Sequence, residues 1–238
     1  MKKKIMLIVS VLLVFVLLTG CDPKEKVNPD AKKFKEDYES INGKTNANGL
    51  EHRTLNIDEE NPFVFSTGEE IVKLIEDKES FFVYFGDKQC PWCRSVIEKA
   101  IEVAKDYKVR KIYYVNVWDD EHNEIIRDVY SVNADGVAEK TQEGTAAYYK
   151  LLDYFKDVLS DYSLKDADGN QLESPEKRIY APNFIFVKNG KAKLMVEGIP
   201  EGLTDPRGEL TKELLDEEEK QFETIFSYAS MCDQDTPC

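Results

Sequence analysis

Phe81-Phe-Val-Tyr-Phe85 is an unbroken apolar run, the pattern of a strand buried on both faces. Upstream, Arg53-Thr-Leu-Asn-Ile57 alternates and predicts a first strand, which Asn61-Pro62 ends. Between the two, Ile71, Leu74 and Ile75 line one face of a helix. Thr67 followed by Glu70 has the spacing of a capping box at its start. Downstream, Val96, Ile97, Ala100, Ile101 and Ala104 keep helical spacing, and Lys111 to Val117 reads as another strand. Strand, helix, strand, helix, strand predicts an α/β fold built on a mostly parallel sheet.

Beyond Trp118 that rhythm breaks. Ile125, Ile126 and Val129 suggest a short helix, and Tyr148, Leu151, Leu152, Phe155, Val158 and Leu159 a strongly amphipathic one. Asp168-Gly169 is a turn signal. Phe184–Val187 and Lys193–Val196 flank Asn189-Gly190, which predicts a hairpin with a type I′ turn. Leu210, Leu214, Phe222, Ile225, Phe226 and Ala229 describe a closing helix, with the Glu217–Glu219 run on its solvated face. Near the other end, Phe34, Tyr38 and Ile41 fit one short helix before an Asn/Gly-rich loop at 43–49. Residues 22–33, polar and with two prolines, read as a tether.

The most apolar stretch is Ile5 to Leu18, fourteen residues interrupted only by Ser10 and preceded by Lys2, Lys3 and Lys4. A membrane-spanning helix needs about 20 residues, so this length fits the apolar region of a secretory signal better. It ends in Leu18-Thr-Gly-Cys21, which resembles the bacterial lipoprotein signal box. That resemblance implies cleavage before Cys21 and diacylglycerol on its sulfur. Residues 1–20 are then a signal peptide and 21–50 a lipid-anchored tether and N-terminal extension, at a bacterial cell membrane and facing outside the cytoplasm. Charge sharpens this picture. The chain has 32 Lys+Arg against 46 Asp+Glu, and losing the three signal lysines leaves 29 against 46, a net charge of −17. Such an excess keeps a domain in solution and gives no reason to bind nucleic acid. Lipid, not charge, would hold it at the membrane.

The five cysteines carry the candidate chemistry. Cys90-Pro-Trp-Cys93 stands where a buried strand gives way to a helix, the setting of a redox dithiol. Cys90 near the helix N-terminus has free N–H groups and the helix dipole to favour its thiolate. Pro91 suits the first helical position, where its missing N–H costs nothing. Cys93, one turn on, can reach the Cys90 sulfur and resolve a mixed disulfide. A zinc site would need a second close pair, which Cys232 and Cys238 do not supply, and His52 and His122 sit in no ligand pattern, so no metal or cofactor is expected. Asp166 to Lys177 departs from a calcium loop at Gln171 and Lys177.

Phe81–Phe85, Cys90–Cys93 and Tyr180-Ala-Pro-Asn-Phe-Ile-Phe-Val-Lys-Asn-Gly190 together resemble the thioredoxin-like superfamily. The resemblance implies a three-layer α/β/α fold with a mixed sheet over residues 51–230. It also implies a mainly helical insertion at 119–179, between the third strand and the strand that Pro182 opens. In that family the matching proline is cis and faces the dithiol. Ala181 before it would present its backbone to an extended substrate, and Pro91 and Trp92 would contact that substrate. The implied function is a membrane-anchored thiol–disulfide oxidoreductase, Cys90 attacking and Cys93 resolving. Client proteins or peptides with thiols or disulfides, and a membrane redox partner, are the expected partners. Many thioredoxins carry a buried aspartate six residues before the first cysteine; Tyr84 stands there, leaving Asp87 and Glu98 as alternative proton carriers. The 231–238 tail holds Cys232 and Cys238, either a clip on the C-terminus or a second redox pair. The alternative function is a non-catalytic scaffold gripping a partner through the insertion.

Overall fold

The apolar run at 81–85 forms β2 (Phe81–Gly86), every residue of it buried, at the centre of a five-stranded mixed sheet. The computed structural model describes residues 28–133, 135–166, 168–172 and 175–231; the signal region, Cys21, Cys232 and Cys238 lie outside them. The first strand, β1 (Phe63–Phe65), and β3 (Ile112–Asn116) run parallel to β2. On its other side β6 (Asn183–Lys188) runs antiparallel to β2, and β7 (Lys191–Val196) runs antiparallel to β6. The sheet order is β1-β3-β2-β6-β7. Asn189 and Gly190 both take positive φ between β6 and β7, as a type I′ turn requires. A side chain at 190 would also strike the Ile75 carbonyl oxygen at 2.3 Å.

Alternation along the strands sends different side chains to the two faces. Phe82, Tyr84, Tyr114, Phe184 and Phe186 face one core, under α1 (Pro29–Glu39), α3 (Pro91–Asp106) and α5 (Lys212–Phe226). Val83, Phe85, Val115, Ile185 and Val187 face the other, under α2 (Gly68–Glu76) and α4 (Ala146–Phe155). The expected capping box closes α2: Thr67 accepts from the Glu70 N–H at 3.2 Å while the Glu70 carboxylate accepts from the Thr67 N–H at 3.0 Å. A short 3₁₀ segment, Ser227–Met231, continues α5. Among the described residues no helix is long and apolar enough to cross a membrane.

Four expectations need correction. Arg53–Ile57 is not a strand, although Leu55 and Ile57 are buried as the alternation requires. Side chains, not a neighbouring strand, satisfy its backbone: Asn42 bonds both the N–H and the carbonyl of Leu55, Glu98 takes the Asn56 N–H, and Glu39 takes that of Ile57. The helix near residue 34 begins at Pro29, capped by Asn28, and buries Ala31, Phe34 and Tyr38, so residues 29–33 of the segment read as tether belong to a helix packed on the core, and 22–27 lie outside the described residues. The insertion is mixed rather than mainly helical. It holds the hairpin β4 (Val129–Val132) and β5 (Ala138–Gln142) beside α4, and residues 125–127 form bends rather than a helical turn, with Ile125 exposed and Ile126 buried. Finally, Glu218 is fully buried with neither carboxylate oxygen hydrogen-bonded, and burial raises its pKa to about 8.

Candidate active site

β2 ends at Gly86, a four-residue loop follows, and Cys90 is the N-cap of α3 with Pro91 at its first position. The Cys90 sulfur accepts the Cys93 N–H at 3.3 Å, the bond that a serine or aspartate makes at an ordinary N-cap. Its own S–H donates to the Ala181 carbonyl at 3.4 Å. Pro182, whose peptide bond to Ala181 is cis, opens β6 directly across from the dithiol. The structure therefore brings Cys90, Cys93, Ala181 and Pro182 together, and Trp92 joins Ala181 and Pro182 in the wall of a cleft of about 390 Å³. Both cysteines are buried, Cys90 at 3% exposure and Cys93 at 0%.

The two thiols are pushed in opposite directions. Burial raises the Cys90 pKa, but hydrogen bonds from the Cys93 thiol and the Cys93 N–H outweigh it, and the net shift is downward. Cys93 goes well up, because burial and the neighbouring Cys90 both disfavour its thiolate; the Tyr84 hydroxyl and the Asp87 N–H oppose this only in part. Neither family models nor curated proteins match this chain.

Tyr84 takes the position of the aspartate that the resemblance led one to look for, and its hydroxyl lies against Cys93. The ring lies along its own strand over Gly86, where an added Cβ would stand 2.1 Å from the hydroxyl oxygen. Glycine at 86 is what lets the tyrosine reach the dithiol. The Tyr84 hydroxyl meets that of Tyr38 at 3.0 Å, so a residue of α1 completes the layer beneath the sulfurs. Phe34, Phe63, Tyr114 and Phe184 close around it at centroid separations of 4.2 to 5.5 Å.

The structure separates the two carboxylates left open by sequence. Glu98 is exposed and occupied by the Asn56 N–H. Asp87 is fully buried; its Oδ1 accepts the Gln89 N–H at 2.6 Å, and its Oδ2 has no partner. Burial lifts its pKa to about 6, against the Gln89 N–H and the Lys88 charge, and its own charge opposes ionisation of Cys90.

Sequence reasoning missed Arg94, the residue after Cys93, which is 1% exposed. Its guanidinium donates to the carbonyls of Arg53 (2.9 Å from Nε), Tyr38 (2.7 Å) and Lys88 (3.2 Å) and to Asn42 Oδ1 (2.8 Å). It thereby ties α1, the 53–57 segment and the loop before Cys90 to the active-site helix. The signal was present: Arg94 stands one turn before Ile97 on the buried face of α3. Among the described residues no group of three or more His, Cys, Asp or Glu is placed to hold a metal ion.

Proposed function

We propose that this chain is a thiol–disulfide oxidoreductase of thioredoxin-like fold, acting on disulfides of client proteins or peptides. The observation that carries the reading is the setting of the dithiol: Cys90 caps α3, its sulfur accepts the Cys93 N–H and faces the Ala181 carbonyl beside cis-Pro182, and Cys93 lies buried one turn on. The sheet order, the dithiol after β2 and Pro182 at the start of β6 support the fold assignment.

In the exchange, the Cys90 thiolate attacks one sulfur of a client disulfide. That S–S bond breaks, and the second client sulfur leaves as a thiolate and takes up a proton. Cys93 then gives up its proton and attacks Cys90, releasing the first client sulfur. The client gains two electrons and the Cys90–Cys93 pair loses two; run backwards, the same steps oxidise a client dithiol. Asp87 is the buried group suited to hold and release the Cys93 proton near neutral pH, because its charge is felt at the dithiol and burial raises its pKa to about 6. The lipid-anchored, extracytoplasmic setting rests on the Leu18–Cys21 box, and Cys21→Ser should move the protein from the membrane to the soluble fraction.

Alkylation of the reduced chain at graded pH tests the mechanism. Cys90 is expected to react with a midpoint below that of free cysteine and Cys93 to stay unmodified. If neither thiol reacts faster than free cysteine, the mechanism is wrong. Cys93→Ser is expected to accumulate mixed disulfides with clients in cells. If Cys90→Ala instead leaves the phenotype and partner binding intact, the scaffold reading replaces this one.

A further inference from the structure

The cleft beside Cys90 has walls of two kinds. Trp92, Tyr180, Pro182 and Ile199 make it apolar and aromatic, and the Ala181 backbone lies at the sulfur. Asp161 and Glu197 make it acidic. These two carboxylates differ in what neutralises them. Asp161 is paired with Lys177 at 2.7 Å, and Lys177 is further held by the Leu159 carbonyl at 3.0 Å. Glu197 receives only a long hydrogen bond from the Ser160 hydroxyl, 3.4 Å, and has no cation partner among the described residues. It directly follows β7, so the sheet fixes its backbone. It is half-buried, and that burial raises its pKa.

We infer that this cleft selects clients bearing an arginine or lysine close to the cysteine under attack, with Glu197 as the specificity-determining carboxylate. The inference rests on the exchange reaction proposed above and names its substrate class. A client segment drawn past Ala181 to reach Cys90 must lay its neighbouring side chains into the cleft. A cationic side chain there meets the cleft carboxylate that no cation pairs among the described residues, and its flanking methylenes and charge suit the Trp92 face. An acidic side chain meets two carboxylates in a partly dehydrated wall, where like charges repel more strongly than in open water.

The test uses the full chain in detergent, its dithiol kept reduced by a thiol reductant whose direct reaction with each peptide is subtracted, and two peptides that each carry one internal disulfide. The peptides are identical except that residues flanking one cysteine are arginine in the first and glutamate in the second. Initial rates are followed by chromatography of the reduced peptides. The arginine peptide is expected to be reduced with the lower KM, and its kcat/KM advantage should fall about fivefold in Glu197→Gln, the size of one ion pair at a partly exposed site. Comparing the two proteins on the same peptide pair cancels any intrinsic difference in peptide reactivity. The unmutated chain gives a second reading, since its preference should shrink between low salt and 0.5 M salt, roughly, where the screening length falls to a few ångströms. Equal kcat/KM for the two peptides, or a preference that Glu197→Gln leaves unchanged, overturns the inference while the oxidoreductase reading stands. Failure to reduce either peptide overturns the oxidoreductase reading itself.

Discussion

Arg94 and Arg178 are both buried guanidiniums that fasten chain lying outside the sheet to residues around the dithiol, and they meet opposite kinds of partner. Arg94 spends its donors on three main-chain carbonyls and one amide oxygen. Arg178 meets charge. It donates to Asp128 Oδ1 and to the Asp128 carbonyl, each at 2.9 Å, and stands 3.7 Å from Glu124. Arg127 grips Glu124 with two bonds of 2.7 Å and donates to the Ile179 carbonyl, and Trp118 Nε1 adds a third contact to Glu124. This second cluster joins the insertion to residues 178–179, the approach to Tyr180, Ala181 and Pro182. One anchor is therefore an unbalanced cation among dipoles, the other a set of matched ions. A matched set can be exchanged for apolar residues of similar volume, whereas main-chain acceptors cannot be substituted away.

The largest expected effect lies in the ionic anchor. Arg178→Met strands Asp128 in the interior and should destabilise the protein by about 4 kcal/mol in urea unfolding. Adding Asp128→Leu should restore most of that loss; a double variant as unstable as the single one breaks the comparison. Arg94→Met comes next, at about 3 kcal/mol, because four acceptors, one buried and three part-buried, lose a charged donor at once. No single companion substitution should rescue it, and a rescue would show that the two anchors are alike after all.

Asp87 sharpens the contrast from the other side, as a buried acid with one main-chain donor and no ion-pair partner among the described residues. Its folded pKa, about 6, lies above its ordinary value of 3.8, so between these pH values the folded state binds more protons than the unfolded one. Its contribution to stability is complete below about pH 4 and is lost as pH rises through 6. Asp87→Asn should therefore stabilise the protein by about 2–3 kcal/mol at pH 7.5 and leave it unchanged near pH 4. The same variant should flatten the pH dependence of dithiol exchange. Equal stability gains at both pH values would remove the ionisation from the argument.

The parts legible in the sequence were those with one dominant local cause. A continuous apolar run can only be a buried strand or helix, and its length chose the strand at 81–86. Asn189-Gly190 accepts positive φ, so the hairpin declared itself. Cys90-Pro-Trp-Cys93 carries its own helix start, and Pro182 was found through the resemblance of the strand it opens. What stayed hidden depends on partners far along the chain. The alternation at 53–57 reports the burial of Leu55 and Ile57 correctly, but no local pattern says that Asn42, Glu39 and Glu98 would replace a strand partner. The polar run before Phe34 read as tether because helix α1 has little apolar surface beyond Ala31, Phe34 and Tyr38, and the three reach the core together. Glu218 looked like one acid of a solvated run, and only the folded chain buries it, near Arg53 and Lys99.

The position of α1 in the chain has a consequence in time. Phe34 and Tyr38 are made first, yet the surface they cover is assembled from Phe63, Tyr84 and Tyr114, and β2 must wait for β6 across the whole insertion. A polypeptide emerging N-terminus first carries these two aromatic rings uncovered until β3 has followed, and leaves one edge of β2 unpaired until β6 arrives. Contacts this distant in sequence slow folding and prolong the exposure of sticky intermediates. Both segments would thus need shelter during synthesis, α1 until β3 follows and the open edge of β2 until β6 does.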